Sequence, residues 1–375
     1  MNLVKTSYDI SDVKVLMKDL SALVKPTDLK QRESSIASGL HYSEMLPRES
    51  VPTIENFEAY DRAVAANAHK VAVLISAMCT KLCMQHGFKF VLISLARAGT
   101  PIGILIKRRF KEMFGVDLPH YSVSILRDKG LDENALNYIK SQHPDISVDK
   151  FQFVDGWTGK GAISTLLDES VRKLIEKDHH TWGKLSSDLA VILDPSGLST
   201  IFGSREDFTI PSACLLSTGS GLFSRPIHSD KFVEADEFHG SVFFSEFKGL
   251  DKSNDFIARI SNEFEFVTES EISKCIVDSL GDDVRFDRYK EKYIDPIIEA
   301  YRLDDISQLK PGLNETVRLL LLRGADRVIL HKDFADDSCA DIEYITQLCV
   351  EKDIPIDFAD IGAFRVCGIY KGNER

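Results

Sequence analysis

The segment Phe153–Gly161, FVDGWTGKG, joins an acidic residue to a glycine-rich turn of the kind that holds phosphate groups. It is not a Walker loop, because its glycines are too closely spaced and Lys160 is not followed by Ser or Thr. An apolar strand predicted over Lys150–Val154 would deliver Asp155 at its carboxyl end, and the turn would open a helix. The N–H groups at such a helix start favour a phosphate monoester. The alternative is a tight strand-to-helix turn with capping residues only.

A second loop has the same design. The segment Ser94–Gly103, SLARAGTPIG, follows a strand predicted over Phe88–Ala96. It offers the cation Arg97, and then Gly99 and Thr100 at the start of a helix. Because open parallel sheets bind ligands at the carboxyl ends of their strands, the two loops could hold two phosphate groups of one ligand.

The order of the predicted elements defines an α/β fold. Helices and strands alternate and predict a mostly parallel sheet with helices on both faces. We expect an N-terminal helical or irregular segment (1–56), a sheet domain (57–285) with an irregular accessory lobe rich in Gly and Ser (195–264), a helical connector (286–308) and a small C-terminal α/β/α sandwich (309–375).

Composition narrows the class of protein. The chain has 375 residues, a formal charge of −12 and 43% hydrophobic residues, and no apolar run that we identify reaches the roughly 18 residues of a membrane span. We expect a cytoplasmic protein without a membrane partner. The seven cysteines include no CxxC pair, which argues against a disulfide framework or a structural zinc site. The acidity argues against nucleic-acid binding through bulk charge, but leaves room for a local site.

Five segments carry a resemblance to a known family. They are HYSEMLP, SLARAGTPIGILIKR, PHYSVSILRDKG, FVDGWTGKGAI and DFTIPSACLLSTGSGLFSR, between about His41 and Arg225. The chain resembles type I phosphoribosyltransferases. It is more closely similar to the phosphoribosyltransferases of bacterial tellurium-resistance and stress gene clusters, some of which are labelled StiP cysteine protease. One departure is that Asp155 lacks the adjacent second acid of the common motif.

The resemblance implies a ligand, phosphoribosyl pyrophosphate (PRPP), with Mg²⁺, and an unknown base, nucleoside-like or RNA acceptor. In this family Asp155 would stabilise positive charge on the anomeric carbon and Arg97 would neutralise the leaving group. Asp155 is also the candidate metal ligand, directly or through PRPP and water. The implied 5′-phosphate and ribose site is Asp155, Gly156, Thr158, Gly159, Lys160 and Gly161. The implied pyrophosphate site is Ala96, Arg97, Ala98, Gly99, Thr100, Arg127 and Lys129. Candidate acceptor residues are Asp194 and Arg225.

Two other functions stay open. The missing second acid suggests a non-catalytic sensor of PRPP or a nucleotide. A cysteine protease would use Cys214, which lies beside a Gly/Ser-rich turn, with His228 or His239 as its base. Nothing in the sequence orients either histidine towards the thiol.

The C-terminal unit resembles the L7Ae/Pelota-like RNA-binding domain over about residues 309–370. Its most specific part is Gly312, Asn314, Glu315 and Arg318, which in that family open a helix and contact RNA. Residues 301–375 contain ten Lys/Arg and fourteen Asp/Glu, a net charge of −4, without the basic surface typical of tight RNA binding. The unit is therefore expected to bind RNA, to bind a protein, or only to dock on the first domain.

Overall fold

The structure is a computed structural model. It describes residues 1–27, 44–46, 48–127, 129–280, 283–322, 324–334 and 340–371. In chain order the first domain contains β1 (Lys14–Val15), β2 (Lys18–Asp19), α1 (Ile54–His86), β3 (Val91–Leu95), α2 (Gly99–Phe114), β4 (His120–Val123), β5 (Ile125–Leu126), β6 (Gly130–Leu131), α3 (Glu133–Gln142), β7 (Phe151–Trp157), α4 (Ala162–Lys177), α5 (His179–Trp182), β8 (Leu189–Leu193), β9 (Ile201–Ser204), β10 (Gly240–Ser241), α6 (Ser253–Asn262) and α7 (Glu269–Leu280).

A six-stranded parallel sheet organises the first domain, in the order β1-β4-β3-β7-β8-β9. Side chains alternate between its faces, because successive residues of a strand point to opposite sides. In β3, Leu92 packs with α1 and α2, whereas Val91 and Ile93 pack with α3 and α4. The predicted α/β class is confirmed. At the carboxyl edge of this sheet, β3 and β7 are direct neighbours, which brings the two predicted loops together.

Helix α1 is the central helix of the first domain. A capping box between Thr53 and Asn56 starts it, and Gly87, at φ 73°, follows its last residue. The helix is long and apolar enough to cross a membrane by those two criteria. However, 72% of its most apolar eighteen-residue window is buried inside the protein, as in the core helix of a soluble domain.

The second domain is built on a four-stranded mixed sheet in the order β11-β14-β12-β13. Its elements are α8 (Phe286–Tyr289), α9 (Asp295–Ala300), β11 (Leu309–Pro311), α10 (Leu313–Leu322), β12 (Arg327–His331), α11 (Ala340–Glu351), β13 (Ile356–Ala359) and β14 (Val366–Ile369). Apolar side chains of α10 and α11, among them Leu313 and Tyr344, share one continuous core cluster with α1 and α2 of the first domain. The two domains are therefore packed tightly together.

Three details differ from the expected organisation. The N-terminal segment, expected to be helical or irregular, contributes β1 to the edge of the main sheet and β2, which pairs with β10. The lobe expected to be irregular contains β9 and α6. In the same lobe the segment GSVFFSEF, whose pattern is typical of a longer strand, forms only the short strand β10 and is followed by a 3₁₀ helix at Ser245–Leu250. Such short strands are held by pairing with distant segments and carry little local signal.

Candidate ligand site between the two domains

A cavity of about 290 Å³ lies where the ends of β3 and β7 meet the second domain. Its floor is formed by the two predicted loops and its opposite wall by β11 and α10. Among the described residues, five basic side chains and two acidic ones line it: Arg97, Arg127, Lys160, Lys310 and Arg318, with Asp155 and Glu315. The cavity therefore carries a surplus of positive charge in a chain whose net charge is −12.

The two loops touch because Gly99 has no side chain. A Cβ at this position would lie 2.3 Å from the carbonyl oxygen of Val154 and 3.0 Å from Cα of Asp155. The start of α2 is thereby pressed against the end of β7. Gly99 is thus a positioning residue, and its place opposite Asp155 sets the floor of the cavity.

Asp155 lies at the end of β7 and accepts a hydrogen bond from the N–H of Gly156 at 2.8 Å. Burial raises the pKa of its carboxyl group to about 7, and the guanidinium of Arg318 opposes this only in part. Near neutral pH a large share of Asp155 is therefore protonated and can donate a hydrogen bond. No group of three His, Cys, Asp or Glu side chains suited to a metal ion occurs among the described residues, so Asp155 stays a prediction as a metal ligand.

The turn between β7 and α4 is held from behind by Asp194. Its carboxylate accepts hydrogen bonds from the hydroxyl of Thr158 and from the N–H groups of Leu198 and Ser199, and it pairs with Arg205. Asp194 is fully buried and does not line the cavity. Asp194, predicted to contact the acceptor substrate, would reach a bound substrate only if the turn were arranged differently.

Lys160 connects the turn to the second domain. Its ammonium group donates to the carbonyl oxygens of Ser307 and Leu309, each at 2.7 Å, while the ammonium of Lys310 lies 3.3 Å from the same Ser307 oxygen. Burial, and then the neighbouring charge of Lys310, lower the pKa of Lys160. Two ammonium groups thus face one carbonyl oxygen at the rim of the cavity.

The residues predicted to contact RNA face the first domain. Asn314 is buried, its amide donates to the carbonyl of Phe208 at 2.9 Å, and its oxygen accepts from the N–H of Ile210 at 2.8 Å. The Glu315 carboxylate accepts from the indole N–H of Trp157 at 3.2 Å. Both amide atoms of Asn314 are engaged, so this side chain is not available to RNA while the domains are docked.

Arg318 and Gly312 complete the contact between the domains. The guanidinium carbon of Arg318 lies 5.1 Å from the centre of the Trp157 ring, and the buried Nε of Arg318 has no hydrogen-bond partner among the residues that the structure describes. Burial lowers the pKa of Arg318 to about 10. Gly312 has a φ of 90°, and a Cβ there would lie 3.1 Å from the ring of Phe364 and 3.3 Å from the carboxylate of Asp207.

The predicted site residues fall into two groups. Those that line the cavity are Ala96, Arg97, Ala98, Arg127, Asp155, Thr158, Gly159, Lys160 and Gly161, together with Glu315 and Arg318. Those that do not are Gly99, Thr100, Gly156, Lys129, Asp194, Arg225, Gly312 and Asn314. Of the second group, Thr100 is buried and shares a hydrogen bond with Ser122, and Arg225 donates to the carbonyl of Met45. Lys129 is exposed, 3.4 Å from Asp230.

Three residues at the site were missed by sequence reasoning. Lys310 precedes the predicted RNA motif, and Trp157 lies inside the turn FVDGWTGKG. The local sequence pattern was therefore sufficient to indicate both residues. Glu49 was not: its carboxylate accepts from Nη1 of Arg97 at 2.5 Å and from the N–H of Ser217 at 2.9 Å. Glu49 is 48 residues from Arg97 and 168 residues from Ser217 along the chain. One sequence shows no pattern that indicates contacts over such separations.

Cys214 lies in a 3₁₀ turn, Pro211–Cys214, and lines a second cavity of about 20 Å³ together with Glu49, Asn56 and Ser217. The thiol residue is 1% exposed, and burial raises its pKa. His239 shares a hydrogen bond with Ser124, and His228 with Asp230. Among the described residues no histidine lines the cavity of Cys214, so neither candidate base is paired with the thiol here.

The fold and the site define a two-domain α/β protein with a charged cavity between its domains. A family model described as tellurite-like stress resistance cysteine protease StiP matches residues 6–261, and one described as PELOTA RNA binding domain matches residues 289–372. The chain is also 31% identical to a protein of Acinetobacter baylyi named cysteine protease StiP, over 351 residues that cover 91% of this chain and 88% of that relative. The chain belongs to the StiP family and carries a C-terminal PELOTA RNA-binding domain.

These comparisons confirm part of the predicted resemblance and correct the rest. The StiP group and the Pelota-like domain are confirmed. The prediction of a phosphoribosyltransferase is wrong, because both the family description and the name of the relative state a cysteine protease. The error came from the two loops, whose shape indicates an anion site but does not define a reaction.

Proposed function

We propose that this chain is a cysteine protease of a stress response and that Cys214 is its nucleophile. One observation carries the choice of residue. The region matched by the family model contains three cysteines, Cys79, Cys83 and Cys214. Cys79 and Cys214 are both buried in the same core cluster and Cys83 packs against it, but of the three only Cys214 also lines the small cavity with Glu49 and Ser217.

The cavity beside Cys214 has polar groups that could receive a substrate carbonyl. Within the part of the chain that the structure describes, the hydroxyl oxygens of Ser217 and Thr218 are buried there without hydrogen-bond partners. Buried polar atoms normally have partners, so unused hydroxyls beside a thiol support a binding role. The volume of about 20 Å³ holds roughly one water molecule, and a peptide reaches the thiol only if the wall moves.

In this proposal the closed cavity around Cys214 is the inactive, resting state of the protease. A nucleophilic cysteine works as a thiolate, and burial in this arrangement keeps the Cys214 thiol protonated. Activation requires both an opening of the cavity and a base that approaches the sulfur. The assay therefore compares hydrolysis with and without candidate activators.

The test is hydrolysis of unfolded casein and of a fluorogenic peptide library, with and without candidate activators. We expect Cys214→Ala to lower the rate by more than about 10³-fold, the effect of removing a nucleophile. Cys83→Ala is the matched control within the same matched region and should keep the wild-type rate. Full activity in Cys214→Ala, or no hydrolysis by the wild type under any condition, would contradict the proposal.

We also propose RNA as a partner of the C-terminal domain, on the strength of its PELOTA match. Because Asn314 is used in domain docking, RNA bound to the docked protein would contact another surface. Filter binding of RNA to the full chain tests this, and no binding at low salt would count against RNA as a partner.

A further inference from the structure

The cavity between the domains has the chemistry of an anion site that the protease activity does not use. Arg318 lines it, and the buried Nε of Arg318 has no hydrogen-bond partner among the described residues, which is uncommon for a buried donor. Lys160 and Lys310 bring two ammonium groups to one carbonyl oxygen, with no carboxylate bound to either among the described contacts. An anion between these three basic side chains would satisfy the free donor and favour the protonated form of Lys160, whose pKa is lowered by burial and by Lys310.

Backbone groups add to the cations. Helix α4 begins after Gly161, which has a φ of 85°, and the turn Thr158–Gly161 lies on the cavity wall. The free N–H groups at the start of a sixteen-residue helix attract an anion with several oxygen atoms. Asp155, with a pKa of about 7, contributes a hydroxyl donor rather than a full negative charge at neutral pH. Tetrahedral oxygens match donors that arrive from both domains, so a phosphate group fits better than a planar carboxylate.

Arg97 links this cavity to the one that contains Cys214. Arg97 lines the charged cavity, and its Nη1 donates to Glu49 at 2.5 Å and to the carbonyl of Phe223 at 3.0 Å. The other oxygen of Glu49 accepts the N–H of Ser217, a residue that lines the cavity of Cys214. The buried carboxylate of Glu49 therefore lines the cavity of Cys214 and binds a residue that lines the charged cavity.

We propose that the cavity between the domains binds a phosphate monoester and that the bound phosphate, by drawing Arg97 away from Glu49, opens the cavity of Cys214. A ligand acts on an equilibrium only through contacts that differ between its states, and the Arg97–Glu49 pair supplies that difference. The phosphate comes from a free nucleotide or from the 5′ end of an RNA strand. The effect on proteolysis rests on the proposed function. Phosphate binding and exposure of the Cys214 thiol do not depend on that function.

The binding test is calorimetry of the full chain with adenosine monophosphate and with RNA hexamers that carry a 5′-phosphate or a 5′-hydroxyl group. We expect micromolar binding of the mononucleotide, of the 5′-phosphorylated hexamer, or of both. Arg318→Gln and Lys310→Gln should each weaken it by at least about tenfold, the loss of one charge-assisted hydrogen bond. Lys332→Gln, an exposed lysine of the same domain, is the matched control and should bind like the wild type.

The coupling test is alkylation of Cys214 by iodoacetamide, followed by mass spectrometry of its peptide. We expect saturating ligand to increase the alkylation rate at least about tenfold in the wild type. Glu49→Gln should bind ligand and show a raised alkylation rate without it, because its link to Arg97 is weakened. Thermal melting of each variant verifies that it is folded.

Three results would overturn the proposal: no binding of any phosphate monoester, binding that is unchanged in both Arg318→Gln and Lys310→Gln, or measurable binding of both hexamers with the same affinity. An unchanged alkylation rate would remove the coupling. Ligand binding and ligand-dependent alkylation without peptide hydrolysis would instead remove the protease function and leave the site intact, so the two failures are distinguishable.

Discussion

Nη1 of Arg97 and Oε1 of Glu49 lie 2.5 Å apart in an ion pair whose side chains are only 7% and 5% exposed. The pair joins the loop after β3 to the segment before α1, and Glu49 extends the connection to Ser217. Desolvation offsets much of the attraction within a buried ion pair, so the pair adds little net stability. Removing one partner alone is nevertheless strongly destabilising, because it leaves the other charge buried and unpaired. The pair thus fixes the position of two loops more than it adds net stability.

Glu49→Ala tests this pair directly. It leaves the guanidinium of Arg97 without its carboxylate in a buried place, so we expect a loss of about 3–5 kcal/mol in the free energy of unfolding. The double variant Glu49→Ala/Arg97→Met removes both charges and should lose less than the sum of the single variants. Urea denaturation measures all of these values.

The control for this cycle is Glu176→Ala. Glu176 pairs with Arg172 at 2.9 Å, but the two side chains are 61% and 60% exposed, and surface pairs contribute about 0–1 kcal/mol. If Glu49→Ala proved as mild as Glu176→Ala, the Arg97–Glu49 pair would not hold the loops together.

The sequence predicts those parts of the fold that depend on local pattern. The apolar strands β3 and β7, and the loops with Arg97 and Asp155 at their ends, follow from hydrophobic runs and glycine positions. Parallel order then brings both loops to one edge. Arg97, Asp155 and Lys160 line one cavity, in agreement with this predicted position. Their chemical roles stay predictions.

The rest depends on contacts between distant segments. The motif at Gly312–Arg318 has the residue types of an RNA-reading helix start, yet Asn314 binds the backbone of the first domain. Docking of one domain on another follows from surface complementarity, which residue type alone does not reveal. The reaction was misjudged for a related reason: the phosphate-type loops carry a strong local signal, and Cys214 carries a weak one.

Asp155→Asn is expected to change how stability depends on pH. The pKa of Asp155 is raised from 3.8 in the unfolded chain to about 7 in the folded protein, so the native state binds the proton more tightly. The wild type therefore loses stability as pH rises from about 4 to 7, and the neutral amide does not. We expect the variant to exceed the wild type by roughly 2–4 kcal/mol at pH 8 and to equal it near pH 4.

Urea denaturation across this pH range provides the measurement, and Asp188→Asn, at an exposed carboxylate in the same domain, provides the control. A constant difference between Asp155→Asn and the wild type from pH 4 to pH 8 would show that Asp155 is ionised throughout, and would remove the hydroxyl donor from the proposed phosphate site.

Gly99→Ala should separate the two loops. The added methyl group would lie 2.3 Å from the carbonyl oxygen of Val154, which is backbone and cannot turn aside. We expect a loss of about 3 kcal/mol in the free energy of unfolding, typical of overpacking against a rigid neighbour, together with weaker phosphate binding. In Gly249→Ala, a Cβ meets no atom within 4 Å, so this control should behave like the wild type. Equal melting temperatures of the two variants would contradict the close approach of the loops.

Asp207→Ala tests whether docking hides the residues that are predicted to contact RNA. The carboxylate of Asp207 accepts the N–H of Leu313 at 3.0 Å, at the start of α10, and the N–H of Arg365 at 2.9 Å. Its loss leaves two donors unpaired, weakens docking by about 2 kcal/mol and raises the undocked fraction up to about 30-fold.

If the helix start at Asn314 contacts RNA, apparent RNA affinity should rise in proportion to that fraction, because only the undocked domain exposes the residue. Filter binding at fixed salt measures the change. Asp132→Ala, which removes a buried capping carboxylate inside the first domain, should leave RNA affinity unchanged. An unchanged affinity in Asp207→Ala as well would mean that RNA contacts this domain at a surface outside Gly312–Arg318, and the motif would then serve domain docking alone.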